Sequence, residues 1–276
     1  MKTIVSYGGG TNSTALLVGL LERGERPDAI TFADTGSEKP HTYEHVVTVN
    51  EWCLRVGFPA IETLYGDMPQ QVIDGTLERE CFRLGKLPAK AYGFSSCSDK
   101  WKIEPQRRYN RAFAAKHGIE LADITRLIGF DADEHSRVER GRSMAHKKPV
   151  KEAYPLYDWG WGREECVEAI ARAGLPQPGK SACFFCPSAK KPELLDLRER
   201  YPELMARALE MERMALAGEG PSPATTCKGL GRSFNWGEWL AQADELAALE
   251  ADFVSRQLCL FSDAGVPEID CGCYDG

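Results

Sequence analysis

The sequence predicts a doubly wound α/β fold built on a parallel sheet, with a helical layer toward the C-terminus. Three observations lead there. A β-branched run, Thr3-Ile4-Val5, opens through glycines into the apolar helical stretch Thr14 to Leu21. A second apolar run, Ala29 to Ala33, is again followed by a helical stretch, and the repeat of strand then helix within sixty residues is the mark of a parallel sheet. Beyond Cys186 the pattern turns to long helical periodicity.

The first element sets the functional expectation. Between strand and helix stand Ser6-Tyr7-Gly8-Gly9-Gly10-Thr11-Asn12-Ser13. Glycines let backbone N–H groups approach a ligand, the hydroxyls of Ser6, Thr11 and Ser13 add donors, and a helix N-terminus supplies partial positive charge. A phosphate fits such a loop. It has neither the Gly-Lys-Ser/Thr ending of a Walker loop nor the G-x-G-x-x-G of a dinucleotide fold.

The second strand ends in Asp34-Thr35-Gly36, and Pro40 starts the next helix. In parallel sheets ligands lie outside the carboxyl ends of the strands, so this loop is expected to face the same pocket as the glycine loop. Asp34 can also serve as a helix cap. A third strand is expected over 60–64, and the stretch from Tyr65 to Ser96 reads as an irregular insertion near the site. Further strand character at Ile124 to Gly129 runs into a charged loop ending in Arg137, and a helix from Arg163 to Ala173 stops at Gly174. Two long helices are expected, Pro192 to Leu216 and Trp236 to Arg256, separated by a loop that holds Cys227, Lys228 and Arg232. The division is therefore 1–187 for nucleotide binding and 188–276 for a helical region with a cysteine-containing tail.

The chain has 276 residues and a formal net charge of −7, which argues against a broad nucleic-acid footprint while leaving room for a local basic groove. No run of about twenty apolar residues is present, so no membrane span is expected. Met1-Lys2 leads at once into a strand rather than a signal peptide, and the expected location is cytoplasmic. Ten cysteines are many for that compartment. Cys53 and Cys166 fall within helical patterns and read as small core residues. Cys183-Phe184-Phe185-Cys186 places two sulfurs at the separation one metal centre requires, with an aromatic pair to exclude water, and Cys97 makes a third thiolate. Cys97 precedes Lys100 and Lys102, which suit either the offset of thiolate charge or a phosphate or sulfate. The fourth ligand is Cys81 or Cys227, and zinc is one occupant of such a set.

Several of these segments resemble known ones. The glycine loop is similar to the pyrophosphate-binding Ser-Gly-Gly-x-Asp-Ser loop of the adenine nucleotide alpha-hydrolase superfamily, with Tyr7 extra and Asn12 in the Asp position. The segment Cys97 to Pro105 resembles the Cys-Cys-x-x-x-Lys-x-Glu-Pro of adenylylsulfate (APS) and phosphoadenylylsulfate (PAPS) reductases, with Ser96 at the first Cys. Gly129 to Arg137 is similar to that family's Gly-x-Arg-x-x-Glu-x-x-Arg loop, Phe130 replacing the first Arg, and Tyr154-Pro155-Leu156-Tyr157-Asp158-Trp159 resembles its Pro-Leu-x-x-Trp step. Asp270-Cys271-Gly272 is similar to the Glu-Cys-Gly of its mobile tail.

The resemblance implies an adenine nucleotide held by Ser6, Gly8, Gly9, Gly10, Thr11, Asn12 and Ser13 with Asp34, Thr35 and Gly36, accompanied by Mg2+. It also implies a 4Fe-4S cluster on Cys97, Cys183 and Cys186, zinc being the alternative. Two reactions compete: ATP-dependent adenylation of an acceptor followed by sulfur transfer, and reduction of a sulfo-nucleotide by Cys271 or Cys273. Lys100 and Arg137 are the further catalytic candidates. A non-catalytic nucleotide sensor with a structural metal is the third reading. The expected partners are the nucleotide, a sulfur acceptor that is either a nucleic-acid base or a metabolite, and a second copy of the chain as a homodimer.

Overall fold

A computed structural model describes residues 1–66, 76–221 and 227–263, with side chains described as far as 252. Among the described residues five strands form one sheet in the order β3-β2-β1-β4-β5, all pairs parallel: β1 is Lys2–Tyr7, β2 Ala29–Asp34, β3 Ile61–Tyr65, β4 Ile124–Ile128 and β5 Lys151–Ala153. The doubly wound parallel fold is thus present, and its central strands are the most apolar because both faces are covered.

The side-chain period of two is visible in β1. Val5 and Tyr7 point to one face, against α1 (Thr11–Glu22), α2 (Pro40–Arg55) and α7 (Arg163–Arg172); Ile4 points to the other, with Phe113 and Ala114 of α4 (Glu104–His117). Cys53 and Cys166 are fully buried in the first of these cores, as small apolar residues.

The stretch expected to be irregular contains a helix, α3 (Leu77–Leu84). Thr76 caps it by accepting the Arg79 N–H at 3.1 Å, and Gly85 ends it in the left-handed conformation at φ 63°. Its apolar face is short, which is why periodicity misses it in a sequence rich in charge. Leu77, Cys81, Leu87 and Trp101 join Phe184, Phe185, Leu194, Met205, Met211 and Trp236 in a second core away from the sheet. After β4 come α5 (His135–Ser143) and the single turn α6 (Pro155–Asp158), whose Leu156 joins the first core.

The expected helix from Pro192 to Leu216 is two helices, α8 (Lys191–Arg200) and α9 (Pro202–Leu216). Pro202 has no N–H to continue the first helix and disfavours helical backbone at Tyr201, which sits at φ −141°, ψ 64°. The last helix, α10 (Trp236–Asp263), runs past the expected Arg256.

One buried carboxylate organises residues 227–237, which lead into α10. Glu212 is 2 % exposed; Oε1 accepts the N–H groups of Leu230 at 2.6 Å and Trp236 at 3.0 Å, and Oε2 accepts that of Gly237 at 3.0 Å. Glu212→Ala would leave these donors without an acceptor, and an unmet buried donor is costly. Urea denaturation followed by circular dichroism should show a loss of about 3 kcal/mol; an unchanged midpoint would show that the loop does not depend on this clamp.

Candidate active site

The order of strands parts the chain at β1 and β4: β2 and β3 lie to one side, β4 and β5 to the other. A crevice opens at the carboxyl ends of strands at such a point. The glycine loop after β1 and Gly129-Phe130 after β4 both line it, with a cavity of about 600 Å³ between them. Gly10 enters α1 in extended conformation without a side chain, so no cap occupies the first amides of the helix and they remain available to an anion. Ser6 is fixed from below, donating to Gln106 Oε1 at 2.7 Å, which also accepts from Arg126 at 2.8 Å.

Gly129 lies directly against the loop. A Cβ built on it would meet the Asn12 carbonyl oxygen at 3.0 Å and the Ser13 nitrogen at 3.1 Å. Gly9, at φ 71°, turns the loop and packs against Thr42.

Four cations line the cavity: Lys102, Arg137, Arg163 and Lys180. Each is steadied by a neighbour. Arg137 pairs with Glu134 and stacks its guanidinium 4.1 Å from the Phe130 ring, Lys180 pairs with Glu193 at 2.8 Å, and Arg163 donates to Asn12 Oδ1 at 3.3 Å. Of the two lysines that the sequence marks for thiolate charge or for a phosphate, Lys102 lines this cavity and Lys100 does not; Arg163 and Lys180 sit in no pattern that marks them, and only the fold brings them to the glycine loop.

Asn12 has a specific setting. Its amide donates to Asp131 Oδ2 at 2.7 Å and to Glu134 Oε2 at 3.2 Å, so it supplies protons where an Asp would face two carboxylates. The negative charge missing from the glycine loop is therefore present on the opposite loop.

Asp34, Thr35 and Gly36 do not line this cavity among the described residues. Asp34 accepts the Gly36 N–H at 2.7 Å and the Tyr43 hydroxyl at 2.9 Å, shaping a turn that supports the cysteine pair instead. Thr35 Oγ1 lies 3.2 Å from Cys183 Sγ, the Phe184 N–H donates to the Ser37 carbonyl at 3.0 Å, and Glu38 bridges to Cys183. Cys183 and Cys186 share one tight turn, in which the Cys186 N–H donates to the Cys183 carbonyl at 3.0 Å. Phe184 and Phe185 meet edge to face at 4.7 Å and are buried, the water-excluding wall expected of them.

Cys97 and Cys227 border the second core beside this turn, and Cys81 lies within it. Burial pushes the Cys81 thiol up, and Glu80, Cys183 and Cys97 add to the effect through their charge. Burial also raises Cys183, reinforced by Glu38 and opposed by Lys102 and the Thr35 hydroxyl. Among the described residues no three Cys, His, Asp or Glu side chains converge to ligating distance. In kind the donors suit a thiolate-bound metal: Cys81, Cys97, Cys183 and Cys227 lie in or against one apolar core, Cys186 closes the turn that holds Cys183, and Lys102 is at hand to offset charge. Cys271 and Cys273 lie outside the described residues.

Lys100 and Lys102 point to different places. Lys100 pairs with Glu80 on the rim of an apolar pocket that Cys81 and Cys97 line. Lys102 donates to Glu38 Oε1 at 2.8 Å and lines the cavity at the glycine loop. Burial alone would depress its ammonium, but Glu38 and the thiols of Cys183 and Cys186 outweigh that and hold it at about 12. The other oxygen of Glu38 is buried with no hydrogen-bond partner among the described residues.

No protein-family model matches the chain, and no curated protein matches it. Among solved structures it is similar to the U34-tRNA thiolase NcsA from Methanococcus maripaludis with its 4Fe-4S cluster, at 16 % identity and a TM-score of 0.41, over 84 % of this chain and 80 % of that one.

Asn12→Asp should lower stability at pH 7 by about 1–2 kcal/mol, because a third carboxylate joins two and loses both donated bonds. Urea melts of both proteins at pH 7 check this, and an unchanged midpoint would contradict the charge arrangement.

Proposed function

We propose that this chain is an ATP-dependent enzyme that adenylates an acceptor oxygen and exchanges that oxygen for sulfur. The observation that carries the reading is the position of Lys102, which lines the cavity at the glycine loop and donates to Glu38, the residue bridged to Cys183. Nucleotide chemistry and sulfur chemistry share one wall.

The loop amides, the α1 N-terminus and Lys102, Arg137, Arg163 and Lys180 form a setting for a polyphosphate. The acceptor oxygen attacks the α-phosphorus, the bond to the β-phosphate oxygen breaks, and pyrophosphate leaves with its charge held by the loop amides and cations. A sulfur nucleophile at the hydrosulfide level then attacks the activated carbon. The carbon–sulfur bond forms, the carbon–oxygen bond breaks and AMP departs with the acceptor oxygen. No net oxidation occurs, and the proton of the hydrosulfide is released to solvent.

Cys97, Cys183 and Cys186, with Cys81 or Cys227, would hold a 4Fe-4S cluster, which when bound would keep sulfur close to the acceptor; zinc on the same thiols would be structural. Phe184 and Phe185 exclude water from this side, which protects the adenylated acceptor from hydrolysis. Asp131 and Glu134, gathered by Asn12, stand where a Mg2+ accompanying the nucleotide would find carboxylates.

Two measurements test the reading. Calorimetric titration should show ATP binding that Arg163→Ala and Gly129→Ala each weaken about tenfold, the first by removing a phosphate contact and the second by displacing loop backbone. Wild-type affinity in both variants would remove the nucleotide from this cavity. Anaerobic purification with iron, sulfide and zinc analysis should find metal bound to wild type and lost from Cys97→Ala and Cys183→Ala. A protein that binds ATP but retains its metal content, or has none, in all three forms would sink the thiol half of the proposal.

A further inference from the structure

Past Cys186 the surface carries a groove that nucleotide binding does not use. Two depressions adjoin at Ser233. One, of about 720 Å³, runs from Tyr92 and Pro187 to Arg232; the other, of about 440 Å³, lies among Lys191, Lys228, Phe234 and Trp239. The inner end of the groove is close to thiols: Pro187 follows Cys186, and Cys227 Sγ lies 3.9 Å from the carbonyl of Ala91, which also lines it.

Its chemistry combines cations with aromatic rings. The Lys191 ammonium stands 5.7 Å from the Phe234 ring and 5.2 Å from the Trp239 ring, and the two half-buried rings meet edge to face at 6.3 Å. Lys190, Lys191, Lys228 and Arg232 are exposed, and none is paired with a carboxylate among the described residues. Glu238 is the carboxylate that lines the outer depression. In a chain whose net charge is −7, three of these cations, Lys191, Lys228 and Arg232, line the groove, a local reversal of sign.

The groove is also held in shape. Glu212 fixes the backbone of the 227–237 loop from inside, and Arg232 keeps a left-handed conformation at φ 67°, alone in this among non-glycine residues described. A side chain held in that region signals a functional constraint more often than chance.

We propose that this groove binds single-stranded nucleic acid, with phosphates on Lys191, Lys228 and Arg232 and a base against Trp239. A flexible single strand can lay its backbone along the cations and turn a base onto the ring, a combination general to single-strand binding surfaces. An acidic peptide would use the cations without the rings, and a duplex keeps its bases stacked away from them. The inference extends to the acceptor: a base of the bound strand is the group that receives sulfur. That extension rests on the sulfur-transfer reading above, whereas binding does not.

The test is fluorescence anisotropy of the full chain with a labelled twelve-nucleotide RNA, its DNA counterpart, the corresponding duplex and polyglutamate as competitor, at several salt concentrations. The single strand should bind, weaken with salt, and resist polyglutamate better than it resists unlabelled strand. The double variant Lys228→Glu, Arg232→Glu should bind at least tenfold more weakly with a shallower salt slope, and Trp239→Ala about tenfold more weakly with the slope unchanged. Circular dichroism verifies that each variant is folded. Preference for RNA or for DNA names the strand. Equal binding by wild type and the charge-reversed variant, equal binding of duplex and strand, or equal competition by polyglutamate would overturn the proposal. ATP titration of the same variants separates the two readings: strand binding without ATP binding leaves the groove standing and the sulfur chemistry refuted, and the reverse outcome refutes the groove alone.

Discussion

Everything at the candidate site depends on two loops being held together where the sheet parts. The crevice between β1 and β4 exists because the chain leaves β1 in one direction and returns on the other side, but topology alone sets loop ends only near one another. Asn12 joins them. Its amide donates to Asp131 and Glu134 from the opposite loop while its oxygen accepts from Arg163, so one neutral side chain knits a carboxylate pair and a guanidinium around the first turn of α1. Gly129, where a Cβ would crowd the Asn12 carbonyl oxygen at 3.0 Å, allows the close approach.

The second core places the thiols relative to that crevice. Leu77, Cys81, Leu87 and Trp101 pack with Phe184, Phe185, Met205, Met211 and Trp236, so cysteines far apart in the chain border one apolar region, and Lys102, next to Trp101, lines the cavity at the glycine loop. Lys100 and Lys102 lie two residues apart on the helical turn Asp99–Ile103 and so fall on roughly opposite faces, Lys102 reaching Glu38 and Lys100 facing Glu80. Two lysines separated by one residue thereby serve different surroundings.

How much of this was legible in the sequence follows from the range of the interactions. The strand, glycine loop and helix at the N-terminus are local, and their residues declare them: β-branched residues, then glycines, then an apolar run. The Cys-x-x-Cys turn with its buried Phe184 and Phe185 is equally local. The contributions of Arg163 and Lys180 are not, since each reaches the cavity from more than a hundred residues beyond the glycine loop and no short pattern distinguishes them from surface cations. Asp34 illustrates the opposite case: its place at a strand end is visible in the sequence, but whether such a carboxylate faces the ligand or its own turn is decided by Tyr43 and the Gly36 amide. The charged face of α3 hid a helix, and Tyr201-Pro202 concealed a break, because hydrophobic periodicity continues through a proline that the backbone cannot follow.

The Glu212 clamp has a consequence for how this surface can change. It grips the 227–237 loop only through backbone N–H groups, which every residue but proline possesses. The outward side chains at Lys228, Arg232 and Ser233 therefore contribute little to holding the loop in place. Selection can rewrite what the groove recognises, one exposed position at a time, while the scaffold that presents it stays as it is.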